Sequence, residues 1–269
     1  MDFSNIFLNY KEKVEIQKKL KEFFHTELYK NTEVLKYCIE KRKFIDDDLK
    51  TFQLGYNPSS SLLSTFLNEN NISYEELSSL GFLTKNEDKS FYDKFSDRLI
   101  FPIHDVEGGV IGFSGRVWKD EDNRSKYILN NNSSIFQKSL NLYGLYQNLE
   151  YIVKHKTVLV VEGNTDVISC RRVGIPIGVC AFGTSFMEEH LKVLMLYANT
   201  FIFCQDEDVA GKKSTEKIQK LLTPYKDIKV GYLKLSGAKD PDDFIKLYGG
   251  ETLKKGIIDL RNSLITASV

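Results

Sequence analysis

The chain has 269 residues, of which 42% are hydrophobic and 28% are charged. This composition is typical of a globular protein with one large domain or two modest ones. The formal net charge is zero, which excludes nucleic-acid binding through bulk charge. Any such binding has to rest on a local basic surface.

The cysteines and histidines give no sign of a zinc site. The four cysteines form no Cys-x-x-Cys pair and the four histidines are scattered, so we expect reduced thiols and no zinc in this chain. No apolar stretch approaches the length of a membrane span, and the N-terminus lacks the cationic segment of a secretory signal. We therefore expect a cytoplasmic protein without a membrane partner.

The first part of the chain predicts a mixture of helices and antiparallel strands. Apolar residues recur at near-helical spacing from about residue 11 to 44, and Asn31-Thr32 indicates a break with a fresh N-cap. Further on, Arg98–Ile103 and Val110–Val117 have the composition of strands, joined by a turn at Glu107-Gly108-Gly109. We expect residues 1–150 to form an α+β domain.

After about residue 150 the predicted elements alternate between strand and helix. They are Val158–Val161, Val167–Val173, Gly178–Cys180, Glu188–Tyr197, Phe201–Cys204, Ala210–Leu222 and Lys229–Leu233, with a last helix over Gly250–Arg261. This alternation predicts an α/β domain over residues 151–269, with a mostly parallel sheet flanked by helices.

Two of the predicted strands end in carboxylates. Glu162 follows the first of them, and Asp206 and Asp208 follow the strand at Phe201–Cys204. Open α/β sheets build their sites at the carboxyl edge, so these acids are expected to converge. Carboxylates gathered without a neutralising lysine or arginine repel one another, and a hard divalent cation relieves that repulsion. The three acids together predict a magnesium site for phosphate chemistry.

A second acidic pair, Asp240 and Asp242, follows the strand that ends near residue 233. Taken singly, an acid at such a position is more typical of a solvated side chain or a helix cap. Asp208 precedes one predicted helix, and Asp242 is expected to cap the next one, over Asp243–Tyr248. The metal-site prediction therefore depends on the acids as a group.

The segment Gly211-Lys212-Lys213-Ser214 resembles the end of a phosphate-binding P-loop. The position five residues before Gly211 is Asp206, whereas a backbone nest for a triphosphate needs glycine there and no carboxylates. We therefore exclude an ATPase P-loop.

The acidic segments together resemble the TOPRIM domain of bacterial DnaG-type primases, which topoisomerases and OLD-family nucleases share more loosely. They read EGNTDV (162–167), GTSF (183–186), QDEDVAGKKS (205–214) and KDPDDF (239–244). Three earlier segments are similar, in order and spacing, to the amino-terminal half of the primase RNA-polymerase domain. They are residues 37–58, 92–117 and 125–145. The resemblance extends from about residue 35 to about residue 250, and the two blocks in tandem are highly specific.

The resemblance implies roles for individual residues. Glu162 is the acid next to the reacting phosphates, and Asp206 and Asp208 are metal ligands for Mg²⁺ or Mn²⁺, with more than one ion bound. The implied acidic cluster also includes Asp240, Asp242 and Asp166. The implied surface for template and nucleotide consists of Arg98, Arg116, Lys126 and Lys138, with Asn130 in the matching loop.

The chain departs from the family at several places. His104 stands where the family usually has arginine, so one basic contact is expected to be lost, and Glu207 adds a charge between the two metal-site aspartates. No cysteine/histidine module precedes residue 35 and no helicase-binding domain follows. We expect either a piece of a longer primase or a primase of phage or mobile-element type. Its partners would then include a replicative helicase and a separate zinc-binding primase module. Without the zinc-binding module, initiation is expected to be weak.

The function that the resemblance implies is synthesis of short RNA primers on single-stranded DNA from ribonucleoside triphosphates. The alternatives are a TOPRIM nuclease, which uses similar acids to cut, and a catalytically weak DNA-binding module of the replisome. A topoisomerase is disfavoured because no partner domain presents a catalytic tyrosine.

Overall fold

The computed structural model describes residues 3–119, 121–183, 185–206 and 208–266. The chain divides into two compact units, Met1–Gln137 and Lys138–Val269. The domain boundary expected near residue 150 lies inside a helix of the second unit, and that division into domains stays a prediction. Among the described residues, none of the helices has both the length and the apolar character that crossing a membrane requires.

The first unit combines helices with an antiparallel sheet. Its helices are α1 (Phe3–Lys30), α2 (Thr32–Lys36), a π-helical turn (Tyr37–Lys41), α3 (Asp46–Thr51), α4 (Ser60–Glu69) and α5 (Tyr74–Ser79). Its strands are β1 (Gly55–Asn57), β2 (Thr84–Lys85), β3 (Phe91–Tyr92), β4 (Arg98–His104), β5 (Val110–Arg116) and β6 (Tyr127–Leu129). The main sheet has the order β1-β4-β5-β6, and β2 pairs with β3 separately.

Local sequence explains where these elements begin and end. The predicted break is confirmed: Asn31 caps α2, its side chain accepting a hydrogen bond from the amide of Val34. The predicted pair of strands is confirmed as well, since β4 and β5 pair antiparallel and both are buried along their whole length. Helix α1 packs on this sheet, and stacked phenylalanine rings such as Phe82 and Phe95, 4.6 Å apart, fill the core between them.

The second unit alternates strands and helices, as predicted. Its strands are β7 (Thr157–Val161), β8 (Gly178–Cys180), β9 (Thr200–Phe203) and β10 (Lys229–Tyr232). Its helices are α6 (Leu145–His155), α7 (Asn164–Arg172), α8 (Glu188–Met195), α9 (Val209–Leu222), α10 (Pro241–Tyr248) and α11 (Gly250–Thr266). The sheet has the order β10-β9-β7-β8 and every pairing is parallel. The fold is therefore α/β with a parallel sheet flanked by helices.

The pairing of β7 with β9 places the acidic segments side by side. Val160 is in register with Phe203, so the residues that follow these strands leave the sheet at the same edge. Both strands are apolar and buried throughout, which is expected of parallel strands covered on both faces.

Candidate metal-binding and catalytic site

Glu162 and Asp206 meet at the carboxyl edge of the parallel sheet. The main-chain amide of Asp206 donates a hydrogen bond of 3.1 Å to Oε1 of Glu162. Both residues are partly buried. The convergence that the sequence predicts for these two acids is therefore present in the fold.

The acids at this edge raise one another's pKa. Burial raises the pKa of Asp206 to about 6, and the charges of Glu162, Asp240 and Asp208 add to the effect. Burial also raises the pKa of Glu162, opposed by the Asp206 amide and reinforced by the charge of Asp208. The pKa of Asp240 is raised mainly by burial. Such mutual repulsion is what a bound cation relieves.

A lysine lies beside these acids, contrary to what the sequence suggested. Nζ of Lys239 is 3.5 Å from Oδ2 of Asp206, and more than half of the lysine side chain is exposed. The expectation of a cluster without a neutralising cation is therefore corrected. Lys239 precedes Asp240 directly in the chain, so its presence in the same motif was the available signal.

The helix caps also differ in part from expectation. Asp208 caps α9, accepting a hydrogen bond of 2.9 Å from the amide of Gly211. The cap of α10 is Asp240, which accepts from the amide of Asp243 at 2.8 Å, so the expectation that Asp242 caps this helix is wrong. The physical reason is Pro241, which occupies the first helical position, where its missing N–H costs nothing. The residue before it, Asp240, is therefore the cap.

Asp166 and Asp242 are buried side chains with hydrogen-bond partners inside the unit. Oδ1 of Asp166 accepts from the amide of Asp242 at 3.2 Å, and Oδ2 accepts from the amide of Gly163 at 3.0 Å. Asp242 accepts from Oγ of Ser169 and from Nζ of Lys246, both at 2.6 Å. Burial, with a further contribution from the charge of Asp240, raises the pKa of Asp166 well above its ordinary value.

The donor set fits a hard divalent cation by its chemistry, because it consists of carboxylate oxygens. Within the described ranges, no three histidine, cysteine, aspartate or glutamate side chains are arranged so that they hold an ion as placed. The positive charge beside Asp206 is the ammonium group of Lys239. Glu207 and Thr184 lie outside the described residues, so the effect expected of Glu207 is not tested.

A small pocket of about 160 Å³ opens beside Glu162. Its wall includes Phe186, Gln205 and Ser214, and the Ser214 hydroxyl donates to Oε1 of Gln205 at 2.8 Å. Sequence reasoning assigned no role to Gln205, although it lies next to Asp206. For Ser214 the sequence indicated only the last position of the segment that resembles a P-loop.

Arg98, at the start of β4, is almost fully buried at 2% exposure. Its guanidinium donates to the carbonyl of Ser125 at 2.8 Å and to that of Lys94 at 3.2 Å. These contacts tie Arg98 to the segment between β3 and β4 and to the segment between β5 and β6. A role for Arg98 toward nucleotide or template stays a prediction.

Arg116 and Asn130 are also buried and bonded within the first unit. Arg116 donates to the hydroxyls of Tyr37 and Tyr127. Asn130 accepts from the amide of Phe113 at 3.1 Å and donates to the carbonyl of Leu80 at 2.7 Å. Because Leu99 pairs with Arg116 in the ladder, side-chain alternation places Arg98 and Arg116 on opposite faces of the sheet.

The two predicted lysines lie in different units. Lys126 is exposed in the segment before β6, and its carbonyl accepts from the amide of Val117. Lys138 begins the second unit, and its carbonyl accepts from Nε2 of His190 at 2.9 Å. Their binding roles stay predictions.

His104 supplies no positive charge at neutral pH. It is buried, with Nε2 3.1 Å from Oε1 of Gln53, and burial lowers its pKa to about 4. The loss of a basic contact toward template or nucleotide at His104 stays a prediction.

Two family models match the chain in tandem. The family described as DNA primase catalytic core, N-terminal domain, matches residues 23–149, and the Toprim-like family matches residues 159–245. The DNA primase of Halalkalibacterium halodurans is 33% identical over 249 residues, which is 91% of this chain and 41% of that protein. The DNA primase of Haemophilus influenzae is 30% identical, with 90% and 41% covered. The chain thus spans about two fifths of the length of these relatives.

Solved structures agree with these sequence matches. The Aquifex aeolicus primase, comprising zinc-binding and RNA-polymerase domains, superposes with a TM-score of 0.84 and 32% identity over 93% of this chain and 61% of that one. A DnaG primase catalytic domain bound to ssDNA gives a TM-score of 0.82 and 28% identity over 94% and 82%. The chain belongs to the DnaG-type DNA primase family and comprises the N-terminal catalytic-core domain and the Toprim domain of that family.

Proposed function

We propose that the chain is the polymerising core of a DNA primase, which joins ribonucleoside triphosphates into short RNA primers on a single-stranded DNA template. The observation that carries the proposal is the acidic group at one edge of the parallel sheet, where burial, together with the charges of Glu162, Asp240 and Asp208, raises the pKa of Asp206 to about 6. A protein that only bound DNA would have no use for concentrated negative charge, because it would repel the phosphate backbone.

The proposed cofactor is Mg²⁺ or Mn²⁺, with more than one ion held by Glu162, Asp206 and Asp208 and with Asp240 close by. When bound, the ions would activate the attacking 3′-hydroxyl and neutralise the leaving pyrophosphate. The contribution of the chain itself is to hold the carboxylates together. The Asp206 amide fixes the Glu162 carboxylate, and Lys239 offsets part of the negative charge while it is accessible to a triphosphate.

We further propose that Arg116, Lys126 and Lys138 contribute to contacts with template or nucleotide, and that Arg98 and Asn130 support the loops that carry those contacts. The solved catalytic domain bound to ssDNA supports a single-stranded template, and the solved primase with a zinc-binding domain supports a zinc-binding partner module. A replicative helicase as a second partner and action in the bacterial cytoplasm complete the proposal. We do not assign the chain to a phage or mobile element.

Primer synthesis tests the proposal directly. The chain is incubated with single-stranded DNA, labelled ribonucleoside triphosphates and Mg²⁺ or Mn²⁺, and the products are resolved on a gel. We expect short, template-dependent oligoribonucleotides. Asp206→Asn should reduce them by about 100-fold or more. Asp259→Asn, the same change at an exposed position of α11, should leave them unchanged.

The rival functions give different results in the same assay. Metal-dependent degradation of the template without nucleotide incorporation would indicate a nuclease. No reaction of either kind, persisting when a zinc-binding primase module is added, would indicate a DNA-binding module and contradict the proposal.

A further inference from the structure

The carboxylate of Asp166 lies beneath the acidic cluster and joins two separate segments. It is 4% exposed. One oxygen accepts from the amide of Gly163 at 3.0 Å, and the other accepts from the amide of Asp242 at 3.2 Å. A single side chain therefore satisfies two main-chain donors that are far apart in sequence, the partly buried amide of Gly163 and the buried amide of Asp242.

The two amides belong to the segments that carry the charged groups of the site. Gly163 directly follows Glu162. Asp242 ends the segment Lys239-Asp240-Pro241-Asp242, which begins with the lysine and the acid of the site. One carboxylate group thus bridges the two segments.

The surrounding residues are fitted to this arrangement. A Cβ atom on Gly163 would lie 2.9 Å from Oδ2 of Asp166, so glycine permits the close approach. On the far side, Asp242 accepts from the Ser169 hydroxyl at 2.6 Å, and Arg172 donates to the same hydroxyl at 3.2 Å. This second layer holds α10 against α7.

We propose that Asp166 is a positioning residue that holds the Glu162 segment and the Lys239–Asp242 segment at a fixed separation, and that it does not bind the metal ion. This inference rests on the proposed metal-dependent function of the same site. It reassigns an acid that the family resemblance places among the metal ligands. The reason is that each oxygen is already committed to a main-chain amide in a buried position, whereas Glu162 and Asp206 are partly open to solvent.

Titration with Mn²⁺ alone, followed by electron paramagnetic resonance, measures both the number of ions bound and their dissociation constants. Asp166→Asn keeps one acceptor oxygen, and Asp166→Ala keeps none. We expect Asp166→Asn to bind as many ions as the unchanged chain, with affinity weakened by about tenfold, and Asp166→Ala to be weakened further. Glu162→Gln, which alters a proposed ligand, should lose an ion. Loss of an ion in Asp166→Asn, or unchanged affinity in both Asp166 variants, would overturn the proposal.

Amide hydrogen exchange provides a readout that does not depend on metal. Exchange at Gly163 and Asp242 should become about tenfold faster in Asp166→Asn and faster still in Asp166→Ala, and unchanged exchange at both amides would contradict the positioning role.

If the Asp166 variants do not fold, Ser169→Ala removes the supporting hydroxyl and leaves Asp166 intact. It should accelerate exchange at Asp242 more than at Gly163, and equal rates in variant and unchanged chain would count against the proposal. If Glu162→Gln retains every ion, the proposed metal ligands are wrong, whereas the exchange results still decide the role of Asp166.

Discussion

The main-chain amide of Asp206 donates a 3.1 Å hydrogen bond to Oε1 of Glu162. This bond joins the segments that follow β7 and β9, and it needs an acceptor atom on residue 162 but not a negative charge. The geometry of the site and its charge can therefore be changed separately.

Glu162→Gln should preserve the fold while abolishing primer synthesis. The amide oxygen of glutamine still accepts from Asp206. Burial of a charge and its repulsion by Asp208 and Asp240, which together raise the pKa of Glu162, are both removed. Without metal at pH 7, we expect the free energy of unfolding to rise by about 0.5–1 kcal/mol. Thermal unfolding and the primer assay measure the two effects.

Glu162→Ala provides the contrast, because it removes the acceptor together with the charge. The Asp206 amide then loses its partner, so this variant should be less stable than Glu162→Gln by about 1 kcal/mol. Equal stability of the two variants would show that the hydrogen bond does not organise the edge of the sheet.

Lys239→Met should tighten the binding of divalent cations measured without nucleotide. The ammonium lies 3.5 Å from Oδ2 of Asp206 and competes for the same negative charge. We expect the dissociation constant for Mn²⁺ to fall by about threefold, since the lysine is more than half exposed and solvent weakens its interaction with Asp206. Lys192→Met, which removes a lysine from an exposed ion pair with Glu188 on α8, is the matched control and should leave the constant unchanged. Weaker Mn²⁺ binding in Lys239→Met would refute the competition.

His104 should make the fold sensitive to acid. Burial lowers its pKa to about 4, with a smaller contribution from Lys21, whereas the unfolded chain has a value near 6.5. The unfolded state therefore binds the proton more readily, so the contribution of His104 is complete above pH 6.5 and is lost as the pH falls toward 4. Between pH 7 and pH 5 this loss amounts to about 2 kcal/mol.

His104→Gln keeps a neutral polar group facing Gln53 and should remove most of this pH dependence. Urea unfolding at pH 7 and at pH 5 gives the two free energies that have to be compared. His155→Gln removes an exposed imidazole and should have a much smaller effect. An unchanged pH dependence in His104→Gln would mean that another group dominates.

The strands and helices of the second unit were predictable because their signals are local. Buried parallel strands are continuous apolar runs, so β7 and β9 were located to within a residue, and the acids that follow them were expected at the same edge. The direction of individual side chains was not predictable in this way. Whether Asp242 caps a helix or is buried depends on Pro241, on Ser169 and on packing against α7.

The basic residues illustrate the same limit in the first unit. Arg98 and Arg116 lie on adjacent strands, but the alternation of side chains and the pairing register place them on opposite faces. A family motif specifies which residue occupies a position and not which carbonyl or hydroxyl its side chain reaches. The carbonyl of Ser125 and the hydroxyl of Tyr37 become partners only when distant segments fold together.

Gly211→Ala should impair the site without removing any charged group. A Cβ atom at this position would overlap the carbonyl oxygen of Asp206 and lie 2.7 Å from its carbonyl carbon. Glycine here therefore allows the first turn of α9 to approach the Asp206 backbone. This close approach is the reason for glycine at position 211, the residue that gives the segment its resemblance to a P-loop. Because the backbone of Asp206 has to move, its amide should lose contact with Glu162. We expect Mn²⁺ affinity and primer synthesis to fall by about tenfold or more.

The control for this substitution is Gly256→Ala in α11, where a Cβ atom would meet only Cδ1 of Leu233 at 3.7 Å. Alanine is the better helix former, so this variant should be more stable by about 0.5–1 kcal/mol and bind Mn²⁺ unchanged. Gly211→Ala also gains that helix propensity, and any loss it shows comes from the contact with Asp206. Full Mn²⁺ affinity in Gly211→Ala would mean that the position of the Asp206 backbone is not critical, and that the side chains alone define the site.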